Sequence, residues 1–582
     1  MTAAAVEPDS GRKADRKAGL TKFVPGIGAA RSYQRAWLRP DIVAGLVLAT
    51  LLVPQGMAYA ELAGLPTVTG LYTTVVCLVA YAIMGPSRVL VLGPDSSVSP
   101  LIFAAITPLL TASKDPATAI ELAGMLAILV GLLEMALGVL KLGFVADLLS
   151  KEVKIGYMNG LAVVIIVGQL PKLFGFSTDA SGFVHELKAF FENLDKTNGR
   201  ALTVGLACLL VLFILPRFTK LLPAVLVVVV GATVLSAMLG LAEHGVKTVG
   251  TLPQGLPTPD FPWTTASDIG PLFAAAVGIT LVSLTDTIAT SASFAARRGD
   301  RVSADQEMIG IGSANVAVGF FQGFAISTSG SRTAVADSAG AKSQLTGLVG
   351  AGTVIILLVF FNGLLKDLPQ TTLAAVIIGA AVSLVDFKSL RRYWPIRPTA
   401  VVVSVAASLG VIFLGVLDGI LLAVGLSILL FFRSNWWPHG EVLDREASGE
   451  WHAVTDDHVE PPHTSVVFRW EAPLFFANAG IFRKQAWKLI EETGASWFIL
   501  QCEAITDIDV TAADTLAQLD LEFEKIGVHM AFVELRTRLH KQMGKYGLFE
   551  TLNREHFYPS VDAALLDITT SRQPGMTEGS QA

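Results

Sequence analysis

Three stretches of this 582-residue chain carry no charge at all: LACLLVLFIL (206–215), AVLVVVVGATVLSAMLGLA (224–242) and GTVIILLVFF (352–361). Crossing the ~30 Å hydrocarbon core of a bilayer takes roughly 20 mostly apolar residues in a helix. Inside lipid every backbone N–H and C=O must find a partner within the protein, which leaves helices or closed barrels. Runs this long and uniform lack the alternation of a barrel strand, so helices are expected. Composition agrees: 52% of residues are hydrophobic and 16% charged, where a soluble domain carries about 25% charged. The expected class is a polytopic α-helical membrane protein.

Apolar segments recur near 42–60, 68–84, 97–111, 118–140, 153–171, 201–215, 221–241, 271–294, 307–321, 331–340, 345–361, 371–385, 399–414 and 417–432, about 14 spans. Placing the N-terminus inside puts most loop cations on one face. Those loops hold Arg88; Lys141, Lys151 and Lys154; Arg217 and Lys220; Arg297, Arg298 and Arg301; and Lys388, Arg391, Arg392 and Arg397. The opposite loops hold mostly isolated lysines, Lys114, Lys247 and Lys366, except in 172–200, where the basic residues are offset by Asp179, Glu186, Glu192 and Asp195. The bias of Lys and Arg to the cytoplasmic side therefore predicts an even span count and both termini in the cytoplasm; the expected location is the cytoplasmic (inner) membrane. The first residues show no apolar signal core.

After Arg433 the texture changes. SNWWPHGEVLDREASGEWHAVTDDHVEPPH (434–463) reads as a polar linker. Beyond it, strand-like TSVVFRW, PLFFAN, SWFILQCEAI and HMAFVEL alternate with three helix-like runs, as in a small α/β domain. The expected division is 1–40 cytoplasmic segment, 41–433 membrane domain, 434–462 linker, 463–567 soluble cytoplasmic domain and 568–582 disordered tail. A net charge of −6 with no basic run gives nucleic acid nothing to bind. Cys77, Cys208 and Cys502 are too scattered for a disulfide framework or metal cluster. Walker A, HExxH and nucleophile-elbow patterns are missing, so a secondary transporter is expected rather than an enzyme or an ATP-driven pump.

Two stretches interrupt the membrane pattern. In VLVLGPDSSVSPLIF (89–103) and QGFAISTSGSRTAVADSAGA (322–341), a short extended segment feeds a half-length helix through small and hydroxyl residues. Irregular backbone at membrane depth must be buried in protein or line a cavity. Paired broken helices in two halves of a transporter mark a midplane site, where positive helix ends face an anion. Gln55 lies 40 residues before Asp95, and Asp286 lies 46 before Arg332, so spans one and three match eight and ten in two halves of seven. Small residues also serve close helix packing, and an arginine can snorkel to the interface. At mid-bilayer, however, Arg332 needs partners or wet surroundings, and hydroxyls, helix amides and a fixed cation make an anion site. Asp286 and Thr290 share a helix face and would hold Na⁺, or Asp286 would carry a proton. The alternative is a structural Asp286–Arg332 ion pair. Gln55 and Tyr59 share a face after the kinking Pro54.

These motifs, with DIVAGLVLATLLVPQGMAYAELAGLPTVTGLY (41–72) and SFAARRGDRVSADQEMIG (293–310), resemble the sulfate permease (SulP) family, and the polar C-terminal part resembles its STAS domain. The resemblance covers about residues 36–567. It implies two inverted seven-span repeats, a core domain moving against a gate domain, a homodimer in the lipid membrane, and a small inorganic anion held between the third and tenth helices. Carried over by motif, the anion-facing residues are Gln55, Tyr59, Ser96, Ser97, Ser331 and Arg332. Asp286 with Thr290 is similar to the arrangement in sodium-coupled bicarbonate members, so no cofactor is expected beyond Na⁺ as coupling ion. In the STAS part, ITDIDVTAADTL resembles the loop bearing a phosphorylatable serine in anti-sigma-factor antagonists. Thr511 takes that place, Val510 and Ala512 depart from the usual residues, and a helix-starting role for Thr511 is the expectation. Together these predict a secondary transporter of inorganic oxyanions, sulfate first and bicarbonate or C4-dicarboxylates behind it. A membrane anion sensor signalling through the STAS domain is the alternative of another class.

Overall fold

The structure, a computed structural model, describes residues 24–570 except 111–114, 145–148, 179, 181, 220–222, 301, 439, 446–450 and 454–463. Most of the N-terminal segment, part of the expected linker, and residues 571–582 of the expected tail lie outside the described residues. Each of the 14 expected segments holds a helix. They are α1 (Leu38–Leu62), α2 (Thr67–Met84), α3 (Ser99–Ile106), α4 (Pro116–Val139), α5 (Lys151–Leu173), α6 (Gly199–Phe218) and α7 (Ala224–Leu239). The second half follows as α8 (Ala266–Arg298), α9 (Ala304–Phe320), α10 (Gly330–Ser338), α11 (Leu345–Phe360), α12 (Gln370–Leu384), α13 (Pro398–Leu414) and α14 (Val416–Trp436). Among the described residues, seven helices are long and apolar enough to cross a membrane, with shorter apolar helices between them. The protein is a multi-pass helical membrane protein.

The packing repeats itself with an offset of seven helices. α4 packs on α9 as α11 packs on α2; α1 packs on α11 as α8 packs on α4; α5 packs on α13 as α12 packs on α6. The pairs α2–α9 and α5–α12 map onto themselves, as a two-fold relation between halves requires. Two sets of helices result: α1–α4 with α8–α11, and α5–α7 with α12 and α13. Within the first set α4 and α9 approach so closely that a Cβ added at Gly131 would lie 2.5 Å from Gly312 O. Small residues are what allow such contact between membrane helices.

Between α2 and α3 runs β1 (Leu92–Gly93), and between α9 and α10 runs β2 (Ser327–Thr328). They pair antiparallel, Leu92 opposite Thr328 and Gly93 opposite Ser327. Ser329 N donates to Val91 O at 3.1 Å, and Val91 N donates to Thr333 Oγ1 at 3.1 Å. The extended segments anticipated before the two half-helices are therefore one miniature sheet. It satisfies backbone groups that lipid could not. It also fixes the starts of α3 and α10 on opposite sides of the same two-residue ladder.

The C-terminal unit is an α/β domain with a six-stranded mixed sheet, order β4-β3-β5-β6-β7-β8. β5 (Ser465–Trp470), β6 (Trp497–Gln501), β7 (His529–Val533) and β8 (Phe557–Tyr558) run parallel. Helices α15 (Ala479–Thr493) and α16 (Val510–Glu524) bury Phe482, Ala486, Leu516 and Phe523 on one face. α17 (Thr537–Lys545) and α18 (Leu548–Thr551) follow, and α19 (Val561–Thr570) covers the other face with Val561, Ala564 and Ile568. Two expectations are corrected. PLFFAN forms no strand, only a bridge from Leu474 to Ile508, because Asn478 folds back to bond Phe475 N and Pro473 O. The polar segment read as a linker supplies β3 (Gly440–Arg445) and β4 (Trp451–Ala453). This antiparallel hairpin joins the sheet through Val442 opposite Phe468 and Leu443 opposite Val467. Its few apolar positions were outweighed by charge in the sequence, yet Leu443 is buried in the sheet's second layer.

Candidate functional site

The ladder brings Arg332 onto the other half of the chain. Ser329 caps α10 loosely, its Oγ 3.4 Å from Arg332 N, and the guanidinium reaches back to Pro94 at the end of β1. Arg332 is fully buried. Its Nη2 donates to Pro94 O at 2.6 Å and lies 3.9 Å from Asp95 Oδ1. Its Nε and Nη1 have no protein hydrogen-bond partner. Gly93 makes the approach possible, since a Cβ there would sit 2.5 Å from Nη1. A buried guanidinium with unspent donors is costly unless something anionic or polar meets them.

Around this group the sequence-chosen residues separate. Ser96 and Ser97 are buried at the entrance to α3; Ser97 turns its N–H and hydroxyl onto Asp95 Oδ2 at 3.0 and 2.8 Å. Tyr59 on α1 adjoins Ser96, within electrostatic reach of Asp95 and Arg332. Gln55, one turn earlier, has a buried Oε1 with no protein partner. Ser331 is exposed and pairs with Ser329 Oγ at 3.1 Å. Tyr59, Ser96 and Arg332 thus belong to one locality, with Gln55 one turn from Tyr59 on α1, while the hydroxyl of Ser97 is already engaged.

α8 closes the arrangement from the side. Thr287 Oγ1 accepts from Thr328 Oγ1 at 2.9 Å, and Thr290 faces the start of α10, 3.9 Å from where a Gly330 Cβ would stand. The alternative of an Asp286–Arg332 pair is corrected: Asp286 Oδ1 lies 2.6 Å from Lys154 Nζ on α5, and Arg332 takes Asp95. Sequence reasoning missed Lys154 because a lysine at a helix end counts as loop charge. Asp95 was visible as a carboxylate at membrane depth, a functional signal in itself, but it had served only to measure a spacing.

Residues 38–407 match the family model of the sulfate permease family, and 453–564 match the STAS domain. The chain belongs to the sulfate permease family. This permease is 36% identical over 547 residues to a protein of Mycobacterium tuberculosis named a probable sulfate transporter, covering 93% of this chain and 97% of that one. It is 30% identical to probable sulfate transporter 3.3 of Arabidopsis thaliana, across 86% and 83% of the two chains. Among solved structures it superimposes on murine Slc26a9, an anion transporter, with TM-score 0.87 and 25% identity over 98% of this chain and all of that one. The transmembrane domain of the cyanobacterial bicarbonate transporter BicA shares the fold, with TM-score 0.60 and 21% identity over 68% of this chain and 98% of its own.

In the permease's STAS domain, Thr511 is exposed in the first turn of α16. It does not start the helix. Asp509 does, with its Oδ1 accepting from Ala512 N at 2.8 Å, because a carboxylate at the N-cap outbids a hydroxyl placed two residues later.

Proposed function

We propose that this protein is a secondary transporter of small oxyanions, with sulfate as the leading substrate, driven by a coupled H⁺ or Na⁺. The observation that carries this reading is Arg332, fully buried between the starts of two half-helices with Nε and Nη1 unpartnered. Two guanidinium donors and the helix-end amides suit an oxyanion. The relatives named as sulfate transporters, one of them 36% identical, favour sulfate over bicarbonate.

Charge balance supports coupling. Arg332 faces Asp95, and Lys154 faces Asp286, so this quartet is already neutral. A dianion added to it leaves uncompensated charge in a poorly hydrated place, which is expensive. A proton on a carboxylate, or a Na⁺ beside Asp286 and Thr290, relieves that. Lys154 occupies Asp286 Oδ1 at 2.6 Å, so the cation would bind through the other carboxylate oxygen or displace the lysine. On this reading the protein is a homodimer in the cytoplasmic membrane with both termini and the STAS domain inside. Cysteine probes at either end should escape labelling from outside intact cells. The deciding experiment is uptake of labelled sulfate, bicarbonate and succinate by proteoliposomes, with and without Na⁺ and a pH gradient. Sulfate counterflow is the expected result; binding without counterflow would mark an anion sensor instead.

A further inference from the structure

Glu134 on α4 is wholly buried. Its Oε1 accepts from Ser283 Oγ at 2.7 Å and its Oε2 from Asn315 Nδ2 at 2.8 Å. The same two side chains also hold Ile326, the residue just before β2. Asn315 Oδ1 accepts from Ile326 N at 2.8 Å, and Ser283 Oγ lies 3.3 Å from Ile326 O.

The helices packed on α4 are α3, α8 and α9. α3 carries no charged residue. On α8 the nearest ionisable group is Asp286, three residues past Ser283 and paired with Lys154. On α9, Asp305 and Glu307 stand eight or more residues before Asn315, about 12 Å or more along the helix, where they bond Gly143 N, and Tyr81 and Ser87, respectively. Among the described residues, then, Glu134 has two neutral donors and no cation in contact. Two such bonds offset only part of the cost of an ionised carboxylate in this setting.

We infer that Glu134 is a proton-binding site, and that its charge state decides whether the Ser283 hydroxyl serves Glu134 or the backbone that leads into β2. Serine has one hydroxyl hydrogen to give. With Glu134 ionised, that hydrogen goes to Oε1, and Ile326 O loses its side-chain donor. When H⁺ from water adds to Oε1, the new O–H donates to Ser283 Oγ, and the serine hydrogen turns to Ile326 O. Asn315 keeps Ile326 N in both states. Protonation therefore tightens the strand carrying Ser327 and Thr328, whose neighbours set Ser329 and Arg332. A route for the proton is at hand: Ser283, Asp286, Thr287 and Thr290 follow one face of α8 at i, i+3, i+4 and i+7, and Asp286 is partly solvent-accessible.

The test begins without substrate, so its failure is distinct from failure of the transport reading. Infrared spectra of the purified full-length protein are titrated from about pH 3.5 to about pH 9, a range that spans ordinary and burial-raised carboxyl behaviour. The expected result is a protonated-carboxyl carbonyl band that disappears as pH rises, is lost in Glu134→Gln, and survives in Asp286→Asn. Ser283→Ala should keep the band but move its midpoint. In proteoliposomes, Glu134→Gln should flatten the pH dependence of sulfate uptake while leaving Na⁺ dependence as in wild type. A Glu134 band that never titrates, or an unaltered pH profile in a folded Glu134→Gln protein, would overturn the inference. If Glu134→Gln does not fold, an unmoved midpoint in Ser283→Ala overturns it.

Discussion

The ammonium of Lys154 sits 2.6 Å from the carboxylate of Asp286, and it reaches there from the other set of helices. A second bridge between the sets, Lys172 Nζ to Glu61 Oε1 at 2.9 Å, lies at the far end of α5. Eighteen residues separate the two lysines, about 27 Å along the helix. A relative movement of the sets, other than rotation about the line joining the two contacts, must be taken up by the flexible lysine stems or lengthen at least one contact.

Only the first bridge touches the proposed coupling site. Asp286→Asn keeps the side-chain shape but removes a titratable charge and a hard cation ligand. Gradient-driven accumulation should be lost, with anion binding retained in part. Thr290→Val should shift Na⁺ dependence if Na⁺ is the ion. Glu61→Gln deletes an equivalent bridge and serves as the control: turnover should change several-fold with ion dependence intact. Wild-type uptake indifferent to both Na⁺ and pH would leave Asp286 with a structural role alone.

The membrane half was legible because its signals are periodic and redundant. Apolar length gave the helices, and the GPDSS and STSGSR interruptions marked the half-helices. What the sequence could not convey was pairing across more than 200 residues. Arg332 chooses Asp95 over Asp286 because β1 and β2 zip together, and a two-residue ladder has no periodicity to read. Lys154 and Glu134 were hidden for opposite reasons, one at a helix end where lysine is ordinary, the other as a lone acid in an apolar run. In the STAS domain, the hairpin of β3 and β4 was masked by its exposed charges.

That hairpin carries its own prediction. Leu443 is buried under the sheet and β3 pairs with β5 along four positions. Full burial of a leucine stabilises by about 1.5–3 kcal/mol. A soluble fragment beginning at Gly440 should therefore melt at higher temperature than one beginning at Thr464, and Leu443→Ala should abolish most of the difference. In the whole protein, deleting 463–567 should impair assembly or rate more than substrate preference, because the anion residues all precede it. Altered selectivity in an active truncated protein would contradict this.

Acid should stabilise the STAS domain through Asp520. Burial, helped by the charge of Glu524 one turn on, pushes its carboxyl up to about 6, from an ordinary value near 3.9. Below about pH 4 folded and unfolded chains are both protonated there, and the residue is neutral to stability. Between about pH 4 and about pH 6 the folded state binds the extra proton, so stability falls as pH rises; above that the penalty is complete. With solvent screening allowed for, it amounts to about 1–2 kcal/mol. Asp520→Asn should raise the urea midpoint at pH 7.5 and leave it unchanged at pH 3.5. An equal shift at both pH values would assign the effect to packing.

The sharpest test falls on Arg332 and the glycine beneath it. If the guanidinium holds the anion, Arg332→Ala should fold and dimerise but bind sulfate weakly, and Arg332→Lys should rescue in part, keeping a charge but losing the fork. Ser331→Ala should be milder, at most one neutral hydrogen bond of roughly 0.5–1.5 kcal/mol. Gly93→Ala separates position from charge: its new methyl would stand 2.5 Å from Nη1, moving the guanidinium while every charge remains. Affinity should drop in Gly93→Ala nearly as in Arg332→Ala. If Arg332 were instead only the structural partner of Asp95, Arg332→Ala would misfold, and adding Asp95→Asn would restore stability by removing the second buried charge. Thermal stability and sulfate affinity measured on the same purified variants decide between these outcomes, and undiminished affinity in a folded Arg332→Ala protein would remove the arginine from the site.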